Sequence, residues 1–171
     1  MNAVQPFLFG DGWIEVKDGN DSCRTIFDRH YSRYRYADGR RPKIFVGPGE
    51  KMVLITPCAR AIFVWRKFIS LDNQVGVNCA VFRNEGAGRS SDLIKAADDL
   101  AWSRWPAERH YTYVNPRAIR SCNPGCCFIA AGWRRCGVTQ RRQLLILERL
   151  PTADIVPALA DQFARQHEPA R

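Results

Sequence analysis

Short apolar blocks punctuated by glycine and proline fill the first half of the chain, and one long run with helical spacing opens the second. Around residues 12–16, Trp13, Glu15 and Lys17 alternate with Ile14 and Val16, a period of two that predicts a short strand. Asp21 or Ser22 is the expected cap of a helix from Cys23 to about His30, with Ile26 and Phe27 facing inward. Residues 43–46 read as a short strand before the Gly47, Pro48, Gly49 turn. Three further β-branched blocks, 51–55, 61–69 and 75–82, read as strands of one sheet.

From Ser90 the period changes. Leu93, Ala97, Leu100, Ala101 and Trp105 share one helical face, with Lys95, Asp98, Asp99 and Arg104 largely on the other, and Pro106 closes the helix. Residues 111–114 predict a strand; Asn123 is then the expected cap of a helix whose first position is Pro124 and whose stop is Gly132. Two strands, 133–138 and 144–150, follow, joined through Gln140, Arg141 and Arg142, and a short amphipathic helix at 155–163 leads to a tail, 165–171, expected to fray. The pattern has no internal repeat. It predicts an α/β (α+β) fold, a mixed, mostly antiparallel sheet flanked by helices, in a single domain over residues 1–164, and 171 residues suit one domain.

Composition narrows the setting. With 46% hydrophobic and 25% charged residues the chain is globular, and no stretch approaches the roughly 20 apolar residues of a membrane span. The first ten residues lack the pattern of a secretory signal, so a soluble, cytoplasmic protein is expected. Seven cysteines then read as thiols and small buried hydrophobes without a disulfide framework.

The net charge of +9 is unevenly spread: Arg24, Arg29, Arg33, Arg35, Arg40, Arg41 and Lys43 crowd a stretch holding only Asp28 and Asp38. Tyr31, Tyr34 and Tyr36 are interleaved with them. Arg33, Tyr34, Arg35, Tyr36, Arg40, Arg41 and Lys43 therefore read as a nucleic-acid face, combining phosphate contacts with base stacking. The alternative is a solvated loop whose arginines pair with local carboxylates.

A second feature concerns small anionic ligands. Arg83-Asn84-Glu85-Gly86-Ala87-Gly88 has the spacing R-x-x-G-x-G between an apolar strand and the helix at Ser91. Glycines there let backbone N–H groups approach phosphate oxygens, and a helix N-terminus adds unpaired donors. Arg83, Gly86, Gly88, Arg89, Ser90 and Ser91 are the expected cofactor-binding set. This segment resembles the acyl-CoA pyrophosphate loop of GNAT acyltransferases, and Asn123 to Trp133, N-P-G-C-C-F-I-A-A-G-W, is similar to the family's late segment, where a short helix begins near Asn and ends in Gly followed by an aromatic. Many GNAT enzymes carry a tyrosine four residues before that glycine. This chain has Phe128, which has no proton to donate.

Within the superfamily, the chain more closely resembles the Mom family of bacteriophage DNA-modification proteins. The likeness spans roughly residues 25 to 148 and rests on His30-Tyr31-Ser32, Ser91-Asp92-Leu93-Ile94, Tyr113-Val114-Asn115 and the segment from Asn123 to Gly137. It implies a GNAT-like core and transfer of a carbamoylmethyl-type group to the N6 amine of adenine in DNA, with acetyl-CoA or a related acyl donor and iron, protecting DNA from restriction in the host cytoplasm. His30, Tyr31 and Asn115 are then the expected catalytic residues, with His30 and Tyr31 possible metal ligands. Asn115 stands where the family often has an acid, which weakens a metal ligand there.

On the residues alone, His30 and Tyr31 serve equally as a proton-transfer pair or as packing for the first helix. His110 and His167 read as surface residues. Cys122, Cys126, Cys127 and Cys136 lack the paired knuckle of a zinc site. Two rival functions remain open: a GNAT acetyltransferase acting on a small amine or a protein, and a non-enzymatic DNA-binding module. A duplex buries its bases, so an enzyme of the first kind must extrude the base or take single strands, with the loop tyrosines as stacking partners.

Overall fold

The computed structural model of the chain describes residues 12–152; the helix predicted at 155–163, the tail at 165–171 and His167 lie outside them. The strands are β1 (Ile14–Val16), β2 (Glu50–Ile55), β3 (Ala61–Lys67), β4 (Val77–Asn84), β5 (His110–Val114), β6 (Arg134–Val138) and β7 (Leu145–Arg149). They form one sheet in the order β1-β2-β3-β4-β5-β7-β6, antiparallel throughout except between β4 and β5. The class is the mixed α+β fold that the pattern predicts. No helix among the described residues is long and apolar enough to cross a membrane.

The central strands are buried on both faces, so each alternates between two cores. On one face, Cys23, Ile26 and Phe27 of α1 (Asp21–Phe27) pack on Val53, Ile55, Ile62, Val64 and Val81. On the other, Leu93, Ile94, Ala97 and Ala101 of α2 (Ser90–Arg104) cover Met52, Leu54, Phe63 and Trp65, and Phe128 of α3 (Cys126–Ala130) joins them.

Several expected boundaries shift, each for a local reason. Helix α1 is capped by Asn20, whose Oδ1 accepts from the Cys23 amide at 3.1 Å, so Asp21 and Ser22 fall in its first turn and it ends at Phe27. Residues 43–46 form no strand: the Asp18 carboxylate takes the amides of Phe45 (3.0 Å) and Val46 (3.2 Å), donors that a strand partner would otherwise need. Helix α3 starts behind Gly125, at φ +82°, and not behind Asn123.

The largest departures are Asp98 and His110, read as surface residues but both fully buried. Asp98 Oδ1 meets His110 Nδ1 at 2.7 Å, while Oδ2 accepts from Trp133 Nε1 at 2.9 Å and from Arg149 Nη1 at 2.6 Å. The His110 ring lies between Trp102 and Trp65, each with its ring centroid 4.5 Å away. A carboxylate is tolerable in that core because three donors converge on it.

The feature that positions a site is the junction of β4 and β5. They pair over three residues only, Val77 with His110, Asn78 with Tyr111 and Cys79 with Thr112, where Thr112 Oγ1 also donates to the Cys79 carbonyl at 2.9 Å. Gly76 makes the junction possible, since a Cβ on it would collide with the Arg109 carbonyl. Beyond Cys79 the strands part. There β4 carries a bulge: Trp65 pairs with Cys79 and Val64 with Val81, leaving Ala80 as the extra residue. Ala80 and Val81 consequently both pack on the α1 side, and Phe82 returns to the α2 side.

Candidate functional site

A cleft of about 950 Å³ occupies the gap where β4 and β5 diverge. Its lining comes from both faces of the sheet: His30 to Arg35 from the α1 side, Cys127 and Phe128 of α3 from the other, with Cys79 to Phe82 and Thr112 to Asn115 as the strand edges. Among the described residues five arginines line it, Arg33, Arg35, Arg117, Arg141 and Arg142, and no carboxylate does. Anions are drawn to such a cleft and cations excluded.

All three expected catalytic residues line this cleft, but in different capacities. His30 Nδ1 lies 2.7 Å from Ser32 Oγ and accepts from the Ser32 amide at 3.2 Å, so the neutral ring carries its proton on Nε2. Burial, and then the nearby Arg83 charge, push its pKa down to about 4, against the opposing pull of the Phe82 carbonyl. At neutral pH His30 is an uncharged ring stacked on Tyr31, with ring centroids 4.4 Å apart. A base so weakened accepts protons poorly.

Tyr31 is 44% exposed and spans the cleft mouth, its hydroxyl accepting from the Asn115 amide at 3.4 Å. Burial of the ring raises the phenol pKa, an effect the Asn115 amide partly offsets, so the hydroxyl stays protonated with its hydrogen free to point into the cleft. Asn115 supplies that amide but spends its side chain locally. Its Oδ1 accepts from the Arg117 amide at 3.0 Å and its carbonyl from Ala118 at 3.1 Å, closing a turn around Pro116. Its part is to position Tyr31 and Arg117.

The Gly-rich loop lies just beyond the cleft, and none of its expected ligand residues lines it. Asn84 organises the loop: its Oδ1 accepts from the amides of Gly86 (3.1 Å) and Ala87 (2.8 Å), and its Nδ2 donates to the Gly88 carbonyl (2.8 Å) and Ser90 Oγ (2.9 Å). The Gly86 amide, one of those expected to meet phosphate, is thus already satisfied. The amides of Gly88, Arg89, Ser90 and Ser91, at the start of α2, find no acceptor among the described residues. Gly86 (φ +94°) and Gly88 (φ +139°) both face open space. Glu85, inside the loop, is held by Arg29 (2.6 and 2.8 Å) and Arg83 (2.6 Å), and hydrogen bonds from these arginines bring its pKa down to about 2. Arg83 is therefore engaged in the loop's own ion pair.

The basic loop divides in two. Arg33 pairs with Asp28 at 2.7 Å and lies over the Phe27 ring, and Arg40 pairs with Asp38 at 3.3 Å and lies over Tyr36, so for these two the local-pairing alternative holds. Arg35, Arg41 and Lys43 make no ion pair among the described residues. Tyr34, 69% exposed, packs edge-on against Tyr36 at 4.8 Å. A smaller recess of about 340 Å³ runs along Arg33, Tyr34, Arg35, Tyr36, Arg40 and Arg41.

No group of three His, Cys, Asp or Glu side chains among the described residues is placed to hold a metal ion; of the two possible ligands named above, His30 is engaged through Nδ1 and poorly basic, and burial raises the pKa of the Tyr31 phenol, as it does that of the Cys79 and Cys127 thiols. Sequence reading missed Arg117, Arg141 and Arg142. Their signal was a local excess of arginine in two turns, but only the fold aims them at the segment 31–35. Comparison of the chain with protein-family models and with curated proteins found no match.

Proposed function

We propose that the chain is an acyl-type transferase that modifies an exocyclic amine of a base in DNA, using an acyl-CoA-like donor. The observation that carries this reading is a cleft between diverging strands that has, among the described residues, five arginines and no carboxylate on its walls, and holds a protonated phenol at its mouth. Walls contributed from both faces of the sheet give two substrates separate holders. The donor's phosphates are matched by the free amides at the start of α2, beside Arg89 and the open glycines. The acceptor's phosphates are matched by the basic loop. The element order of strand, Gly-rich turn, helix, strand, short helix, strand, strand agrees with the GNAT resemblance, and its Mom-like form names adenine N6 as the amine to test; acyl transfer there yields an N-acyl adenine, whereas a carbamoylmethyl group, bonded through its methylene carbon, would require a further source of nitrogen and a different bond-forming step. The rival acetyltransferase of cationic amines fits less well, because a lysine or polyamine would meet guanidinium groups and, among the described residues, no carboxylate.

The chemistry asked of these residues is modest. A base's exocyclic amine is uncharged and attacks the donor carbonyl carbon without prior deprotonation; the C–S bond then breaks and the departing thiolate takes a proton. Tyr31 supplies that proton from its hydroxyl and regains one from water as the amine loses its own. It thereby fills the role left vacant by Phe128. His30 and Asn115 hold Tyr31 in place, and most of the rate gain comes from orientation.

The test is mass spectrometry of nucleosides from DNA of cells expressing the protein or its Tyr31→Phe variant. A modified adenine nucleoside is expected with the first, and a yield lower by roughly a hundredfold with the second. Unmodified nucleosides from cells containing folded wild-type protein, together with no acyl-CoA binding by that protein, would refute the reading.

A further inference from the structure

We infer that Arg117, Arg141 and Arg142 form a phosphate clamp that closes on a single-stranded or extruded segment of nucleic acid, opposite the basic loop; this rests on the reading of DNA as acceptor. The three residues come from two turns far apart in sequence, and the fold brings both to the cleft wall that faces Tyr31 to Arg35.

Both turns are built to hold their arginines forward. At the β6–β7 turn, the Thr139 amide donates to the Leu144 carbonyl (2.9 Å), and the Leu144 amide to Thr139 Oγ1 (3.0 Å). The Gln143 amide donates to the Thr139 carbonyl at 3.0 Å, and its Nε2 to the Gln140 carbonyl at 2.8 Å. Arg141 and Arg142 ride at the tip, exposed. Arg117 follows Pro116 in the turn closed by Asn115. None of the three makes an ion pair among the described residues, whereas Arg33 across the cleft is already committed to Asp28. Three exposed guanidiniums held on hydrogen-bonded turns, with no carboxylate among the described residues of the shared wall, form an anion site in search of a charge.

Size and aromatic content identify the anion. A cleft of about 950 Å³ is far too small for a duplex but takes a nucleotide or two. Tyr31 and Tyr34 are exposed within it, offering ring faces to unstacked bases. The strand is therefore bound between arginines on one side and tyrosines on the other.

Binding of a fluorescent single-stranded oligonucleotide, measured by anisotropy across a salt series, tests the clamp. Removing three contacts in the variant Arg117→Ala/Arg141→Ala/Arg142→Ala should lower the salt slope by roughly 2, at about 0.7 per single-strand phosphate. Over a fourfold rise in salt, wild-type affinity should then fall roughly twentyfold more than the variant's. Acyl-CoA affinity and the thermal midpoint should stay unchanged, and Arg117→Lys/Arg141→Lys/Arg142→Lys should restore most of the slope. A duplex of the same sequence should compete poorly. A wild-type slope in the alanine variant overturns the clamp, as does loss of acyl-CoA binding in its place, or equal competition by duplex. Failure of the wild-type protein to bind any DNA overturns the acceptor reading itself, a distinct result.

Discussion

Replacing Asp98 by alanine tests the part of the structure least expected from sequence. The substitution removes at one stroke the acceptor for His110 Nδ1 (2.7 Å), Trp133 Nε1 (2.9 Å) and Arg149 Nη1 (2.6 Å). A buried donor left without a partner costs about 1–3 kcal/mol. The three costs do not add, because the Arg149 side chain is 20% exposed and can turn to water, whereas His110 and Trp133 have no such escape. Breaking a buried ion pair from one side costs about 3–5 kcal/mol, and the expected loss lies in that range. In a chain of this length each kcal/mol lowers Tm by about 2–4 °C, so the midpoint should drop by roughly 6–20 °C. Asp98→Asn should cost less, since His110 can change tautomer to accept from the new amide, at the expense of the charge facing Arg149 and of a proton on the buried, unpartnered His110 Nε2. Urea unfolding followed by tryptophan fluorescence is the natural assay, with Trp65, Trp102 and Trp133 all around the site. A loss below about 1 kcal/mol at an unchanged m-value would show that the three bonds to Asp98 do not hold the core together.

Two further substitutions probe the donor loop and the cleft. Gly88→Asp puts a negative side chain at φ +139°, where phosphate is proposed to approach, so acyl-CoA affinity by calorimetry should fall at least tenfold while strain costs about 1–3 kcal/mol of stability; unchanged affinity would remove the loop from the donor site. His30 binds its proton less readily folded, at a pKa of about 4, than unfolded, at 6.5, so its contribution to stability is complete above pH 6.5 and is lost as pH falls toward 4. Glu85, lowered from 4.5 to about 2, adds a separate loss only below that window; His30→Gln should therefore flatten the stability profile between pH 6.5 and 4.5 and leave the more acid decline in place, and an unaltered profile would refute this assignment.

How much of this was legible beforehand follows from the range of the interactions involved. The strand, Gly-rich turn, helix and strand from Val77 to Val114 were legible because hydrophobic period and glycine placement act within a few residues. So was the stop of α3 at Gly132, whose φ of +93° suits glycine. Asp98 and His110 were not. In a helix, position 98 reads as polar surface until one knows that His110, Trp133 and Arg149 close over it, and each of those is 12 or more residues away. Likewise nothing local distinguishes Arg33, tied to Asp28, from Arg35, which has no ion pair among the described residues.

The site itself turns on a residue that the motif treats as filler. Glu85 occupies an unspecified position of R-x-x-G-x-G, and a carboxylate beside proposed phosphate ligands looks like a defect. Its charge is cancelled from two directions: Arg83 of the same loop, and Arg29 just after α1, which grips both its oxygens. Arg29 immediately precedes His30 and Tyr31 and the basic loop beyond them. One carboxylate thus fastens the proposed donor loop to the start of the proposed acceptor wall across 56 residues of sequence. Two substrates that must meet within bonding distance need their holders fixed to one another more than they need further contacts of their own. On the proposed reading, the Arg29–Glu85–Arg83 triad does this, and Glu85 is retained for geometry despite its sign.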